Sequence, residues 1–127
     1  MTDIYVLQAS DDKGRFSEGK VPSKIILKSF ATDYEVDAYL GGLASVVFVS
    51  HNIIGEEPAM LSVEFDQEYA VDYHFNSTGE KDAYKAGLRD GDGYQSPLVI
   101  TENNEPSFTR IEGLYRTQQK NAARAAK

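Results

Sequence analysis

The side chains able to do acid–base or nucleophilic chemistry are few. The chain has two histidines, His51 and His74, and no cysteine. A disulfide scaffold, a thiolate metal site and a cysteine nucleophile are therefore excluded. Neither histidine belongs to an H-x-x-x-H pair or a comparable ligand spacing, so no zinc site is predicted. Side chains alternate along a strand, which puts His74 and Asp72 on one face. Ser62, on the strand before, would come near them, and Ser62, Asp72 and His74 form the weak candidate catalytic group. Ordinary exposed sheet residues give the same pattern, and a general base also needs a pocket that spacing does not show.

Asp90-Gly91-Asp92-Gly93 has the opening of a calcium loop, yet the twelfth position from Asp90 is Thr101, not the bidentate glutamate such a loop requires. Helix exit and turn is the preferred reading. The motifs G-x-x-x-x-G-K-[ST], G-x-G-x-x-G and G-x-S-x-G are absent, which argues against nucleotide-dependent enzymes and hydrolases of the elbow type. No cofactor and no metal are expected.

The elements that position these residues show an internal repeat. Residues 30–43 and 75–88, offset by 45, agree at Phe30/Phe75, Glu35/Glu80, Asp37/Asp82, Ala38/Ala83, Tyr39/Tyr84, Gly42/Gly87 and Leu43/Leu88. Thr32 and Ser77 each stand three residues before a glutamate. Both spacings predict capping boxes, with the hydroxyl accepting from a first-turn amide and the glutamate reaching back to the cap amide. Two helices thus begin at matching places. Val36, Tyr39, Leu40 and Leu43 line one face of the first, and Ala83, Tyr84 and Leu88 a thinner stripe of the second. Gly42 and Gly87 suit helix termination.

Strands are predicted over 24–30 and 69–75 before these helices, over 46–53 and 97–102 after them, and over 3–9 and 60–65 ahead of each unit. A three-residue loop at Asp66-Gln67-Glu68 would bring Phe65, Val63 and Leu61 opposite Tyr69, Val71 and Tyr73, all on one side. The connection from Ser10 to Ser23, rich in Asp, Gly, Ser and Lys, is expected to be mobile. Two (β)βαβ units resemble the ferredoxin-like plan, an α+β fold with an antiparallel sheet and helices on one face. That resemblance spans residues 24 to 102, concerns topology alone and brings no function with it.

Ser107 can cap a C-terminal helix in which Phe108, Ile111, Leu114 and Tyr115 recur at helical spacing. Residues 1–115 read as a single domain, with repeat units at about 3–53 and 60–102. Residues 116–127 read as a basic, frayed helical tail.

The net charge is −7, but residues 107–127 hold five basic residues and one acid, leaving −11 on the remainder. An acidic body repels nucleic acid and anionic membranes and favours solubility or a basic partner. No signal peptide is readable, and the longest apolar stretch, Val46 to Val49, is too short for a bilayer. A cytoplasmic protein without membrane contact is expected. The eight tyrosines fit core filling at Tyr39 and Tyr84, and interface use elsewhere.

The leading expectation is a non-catalytic, acidic protein-binding module, an inhibitor or adaptor docking on a basic surface through Tyr34, Glu35, Asp37, Asp66, Glu68, Tyr69 and Tyr94. A homodimer closing the open sheet face is an added expectation. The alternatives are a small enzyme or ligand binder around His74, Asp72 and Ser62, and nucleic-acid contact through Arg116, Lys120 and Arg124. The last is the weakest, because no aromatic residue stands among those charges.

Overall fold

A computed structural model describes residues 2–7, 12–22, 24–46, 49–91, 98–101 and 105–125. The chain is α+β, and its elements run β1 (Thr2–Leu7), α1 (Asp12–Ser17), β2 (Ile25–Phe30), α2 (Asp33–Ser45), β3 (His51–Glu57), β4 (Met60–Phe65), β5 (Tyr69–His74), α3 (Thr78–Gly91), β6 (Leu98–Thr101) and α4 (Glu105–Ala125). The strands form two three-stranded antiparallel sheets, ordered β2-β1-β6 and β3-β4-β5. The ferredoxin-like plan would place β2 and β3, on either side of α2, in one sheet. Instead β2 lies beside β1, and β3 beside β4. The chain divides accordingly into two compact units, one from Met1–Thr2 with Phe30–Ser96, the other from Asp3–Ser29 with Pro97–Lys127.

In the second unit β1 is the middle strand. Its antiparallel register with β6 runs from Ile4 opposite Thr101 to Leu7 opposite Leu98. Ser29 Oγ donates to Asp3 at 2.7 Å, tying the end of β2 to the start of β1. Tyr5, Leu7, Ile25 and Ile100 meet Phe16 of α1 and Ile111 of α4 in one core. The Tyr5 ring lies 5.2 Å from Phe108 and 5.5 Å from Tyr115, as the helical spacing of those residues requires.

The connection expected to be mobile is described over residues 12–22. It contains α1, buries Phe16, and turns at Gly19, whose φ of 83° is the left-handed conformation glycine adopts at least cost. Arg110 lies over the Phe16 ring at 4.3 Å and donates to the carbonyls of Phe16 in α1 and of Lys20 beyond its end, tying both to α4. Continuing to Ala125, α4 also makes a contact beyond the apolar stripe, where Gln118 donates to the Pro22 carbonyl at 3.0 Å.

In the first unit β3, β4 and β5 form a meander whose inner face carries Val63, Leu61 and Phe65 against Tyr84 and Leu88 of α3. The β4–β5 register pairs Phe65 with Tyr69, Val63 with Val71 and Leu61 with Tyr73, as the facing of bulky residues predicts. Its turn contains no glycine, and Asp66 and Gln67 take φ of 54° and 60°. Asp66 holds its place by accepting from the Ser50 amide and hydroxyl at 2.9 and 3.1 Å. The third strand begins at His51 rather than Val46, because Val46 closes α2 and is buried.

Residues offset by 45 occupy matching positions in α2 and α3. Thr32 and Ser77 accept from the amides of Glu35 and Glu80 at 3.2 and 3.1 Å. The glutamates reach back to the amides of Ala31 and Asn76, one residue before the expected cap. Gly42 and Gly87 do not terminate the helices, which continue to Ser45 and Gly91. They are where the two backbones touch. A Cβ on Gly42 would stand 2.2 Å from the Tyr84 carbonyl oxygen, and one on Gly87 2.2 Å from that of Tyr39. The tyrosines follow the same offset: Tyr39 donates to Asp90 at 2.7 Å, and the Tyr84 hydroxyl lies 2.8 Å from Ser45 Oγ.

Candidate functional site

The β3-β4-β5 sheet packs one face on α3, and its other face is exposed at Asn52, Glu57, Ala70, Asp72 and His74. Alternation puts Met60, Ser62 and Glu64 of β4 on that outer face, with Ala70, Asp72 and His74 of β5 beside them. From β3 come Asn52 opposite Glu64, Gly55 opposite Ser62 and Glu57 opposite Met60. The register of β3 shifts between Ile53 and Gly55, which leaves Ile54 exposed.

Ser62, Asp72 and His74 do share this face. Ser62 Oγ donates directly to Asp72 at 2.6 Å. Asp72 pairs across from Ser62, whereas His74 pairs across from Met60. A nucleophile relay needs the imidazole between hydroxyl and carboxylate, and here the hydroxyl and carboxylate meet without it. Asp72 and His74 are exposed. At one end of the sheet Ser50, His51, Asn52, Glu64, Asp66 and Gln67 line a shallow depression of about 300 Å³. Among the described residues no group of three His, Cys, Asp or Glu is arranged to hold a metal ion.

Charge is distributed by unit more sharply than by segment. The sequence of the first unit holds 13 acidic residues and only three basic ones, Lys81, Lys85 and Arg89, a net of −10. The second unit holds 10 basic and 7 acidic residues, a net of +3. All three cations of the acidic unit lie on α3 and pair within it. Lys81 meets Glu56 and Asp82, Lys85 meets Glu56 at 2.8 Å, and Arg89 meets Asp90 at 3.3 Å. Glu57, Glu64 and Asp72 on the outer face gain no lysine or arginine partner from these pairs. Sequence reasoning missed Glu57 and Glu64, although facing from Ser62 and Asp72 would have found them.

Of the residues expected to bind a partner, Tyr69 (56% exposed) and Tyr34 (72%) are the open aromatics. The structure sorts them into two groups. Asp66, Glu68 and Tyr69 gather at the β4–β5 turn, where the Tyr69 ring lies 5.6 Å from Phe65. Tyr34, Glu35 and Asp37 lie in the first turns of α2, and Glu35 approaches Gly79 at the start of α3. That helix start follows the opposite end of β5 from the turn. Tyr94, Asp92 and Gly93 lie outside the described residues, while Asp90 and Gly91 are still helical. On α4, Arg116 pairs with Glu112 at 3.2 Å, and Lys120 and Arg124 are exposed.

Lys81 is 5% exposed and is also a residue that sequence reasoning missed. The offset of 45 pairs it with Val36, a core position of α2, so the repeat carried the signal. Hydrogen bonds from Lys81 and Lys85 hold the Glu56 carboxyl down at about 2, and the Glu56 and Asp82 carboxylates hold the Lys81 ammonium above its usual range. Because the Glu56 value is lower folded than unfolded, its contribution is present above about pH 4.5 and fades as pH falls toward about 2. Acid titration followed by circular dichroism should show stability falling in that window, and Glu56→Gln should flatten that part of the curve. An unchanged curve in the variant would show that Glu56 does not contribute to it.

Among the described residues no helix is long and apolar enough to cross a membrane. Comparison with known protein families, with curated proteins and with solved structures gives no match.

Proposed function

We propose that this chain is a non-catalytic protein-binding module whose acidic unit docks on a basic surface of a partner protein, as a small inhibitor or adaptor does. The observation that carries this is the net of −10 on a unit whose three cations are already engaged with its own carboxylates. Such a surface attracts cationic partners at long range and repels acidic ones, so charge governs both encounter and selection. The outer sheet face adds partly buried Met60 among its carboxylates, and Ile54 at the register shift of β3 is exposed, giving apolar area for contact after encounter.

The test uses the full-length chain as bait in its native lysate after nuclease treatment, beside the variant Glu57→Lys/Glu64→Lys/Asp72→Lys. A basic protein retained by the unmodified chain should be released near 0.5 M salt, where the screening length is roughly 4 Å. The charge-reversed variant should bind that protein at least about tenfold more weakly in a purified assay. Capture indifferent to both salt and charge reversal would overturn the proposal.

A further inference from the structure

The acidic sheet has two edge strands, and they are not alike. On β3 the register shifts between Ile53 and Gly55, a bulge of the kind that keeps a foreign strand from pairing along its length. The other edge, β5, pairs with β4 in unbroken register from Tyr69 to His74 and contains no proline or lysine. In an antiparallel ladder alternate residues turn their backbone groups toward the neighbouring strand. Phe75 N donates to Ala59 O at 2.8 Å, continuing the ladder by one pair. By alternation Tyr69, Val71 and Tyr73 bond inward to β4. Ala70, Asp72 and His74 therefore present their amides and carbonyls to the open edge, and the last two of these, like Ala70, are exposed.

The side chains along this edge are also sorted. The outer face offers Asp72, with Glu64 on β4 across from Ala70. The inner face offers a row of apolar side chains, with exposed Tyr69 followed by partly buried Val71, Tyr73 and Phe75 packed on the unit's core. A strand added to β5 would place alternate residues beside carboxylates and beside this apolar row. A second copy of the same strand is a poor occupant, since it would bring Asp72 and a second −10 unit against the first. A basic one is complementary.

We propose that β5 is the docking edge for an extended segment of the partner, a strand in which lysine or arginine alternates with apolar residues and which adds to the sheet as a fourth strand. This rests on the acidic-docking function proposed above and names the form of the ligand. Main-chain bonds to Ala70, Asp72 and His74 supply affinity, the carboxylates select the cationic residues, and Tyr69, Val71 and Tyr73 receive the apolar ones.

The probe is a short synthetic peptide of alternating lysine and valine, titrated into the full-length chain and followed by backbone amide NMR and by calorimetry. The Ala70, Asp72 and His74 amides should shift and become protected from exchange. Ala70→Pro removes one outward amide while sparing the inward ladder, and should weaken binding about tenfold or more. Peptides methylated on the backbone nitrogen test the edge without altering the protein. Loss of binding on methylating the lysines means antiparallel addition, and loss on methylating the valines means parallel addition; either supports the proposal. If both methylated peptides and Ala70→Pro retain binding while Glu57→Lys/Glu64→Lys/Asp72→Lys loses it, the edge is not the site, though the acidic-docking function stands. No binding of the probe to the unmodified chain, or self-association through β5 seen by sedimentation, would also overturn the proposal.

Discussion

Gly87→Ala is expected to destabilise the acidic unit by about 3 kcal/mol, a large effect for a single methyl group. The added Cβ would lie 2.2 Å from the Tyr39 carbonyl oxygen, 2.9 Å from Gly42 Cα and 2.9 Å from Leu43 N. These are backbone atoms of a packed helix and have no rotamer by which to move away, so α2 and α3 must separate. Gly42→Ala meets the Tyr84 carbonyl at the same 2.2 Å and should cost a similar amount. The double variant should cost less than the sum, because one separation accommodates both methyl groups. Two other helical glycines provide the opposite sign. A Cβ at Gly41 would make an ordinary contact with the Tyr84 ring at 3.7 Å, and one at Gly113 would meet nothing within 4 Å. Alanine there should stabilise by roughly 0.5–1 kcal/mol through helix propensity. Urea denaturation of the four single variants measures all of this. Equal and small effects at all four positions would show that the helices do not meet at Gly42 and Gly87.

The second large effect is expected at the tyrosines that flank this contact. Tyr84 is buried, stacks within 4.7 Å of Tyr73 and 5.5 Å of Phe75, and belongs to the core shared by α3 and the sheet. Tyr84→Ala removes that ring and should cost about 4 kcal/mol. The Tyr84 hydroxyl and Ser45 Oγ share a neutral hydrogen bond, and Ser45 Oγ also donates to the Gly41 carbonyl. Tyr84→Phe loses only bonding between neutral hydroxyls, about 1 kcal/mol. Tyr39→Phe should cost more, about 2 kcal/mol, because its acceptor Asp90 is a carboxylate. Burial first, then the bond to Asp90 for Tyr39 and to Tyr73 for Tyr84, push both phenols above their ordinary range, so both remain protonated well past neutral pH. Denaturant midpoints of the three variants rank these costs. A Tyr39→Phe variant no less stable than Tyr84→Phe would contradict the charged-acceptor argument.

Features legible in the sequence were those settled by neighbours along the chain. The capping boxes at Thr32 and Ser77 depend on a three-residue spacing, and the β4–β5 register depends on which residues alternate around Asp66-Gln67-Glu68. The shared face of Ser62, Asp72 and His74 followed from alternation alone. Their bonding order did not, because the direct bond from Ser62 to Asp72 depends on side-chain geometry. Gly42 and Gly87 were misread since a glycine that ends a helix and one that admits another backbone look alike until the second helix is placed. The partition of strands into two sheets was illegible for a deeper reason. Periodicity identifies β2 and β3 as strands on either side of α2, but nothing local says that β2 pairs with β1 and β3 with β4. Likewise the distribution of charge by segment showed a basic tail, while the distribution by unit required the fold.

The nesting of one unit's sequence inside the other's bears on the order in which the chain folds. All of α2, β3, β4, β5 and α3 lies within residues 30–96, so those elements can associate without any residue from 97 onward. The sheet containing β1 cannot be completed until Leu98–Thr101 arrives, since its register joins Ile4 to Thr101. Closing so long a loop carries an entropic cost that grows with the logarithm of its length, and contacts of wide sequence separation form slowly. An already compact body between the two ends shortens the effective loop and lessens that cost. The acidic unit is thus expected to form first when the denatured chain refolds, with β1, β2 and α1 waiting for β6 and α4.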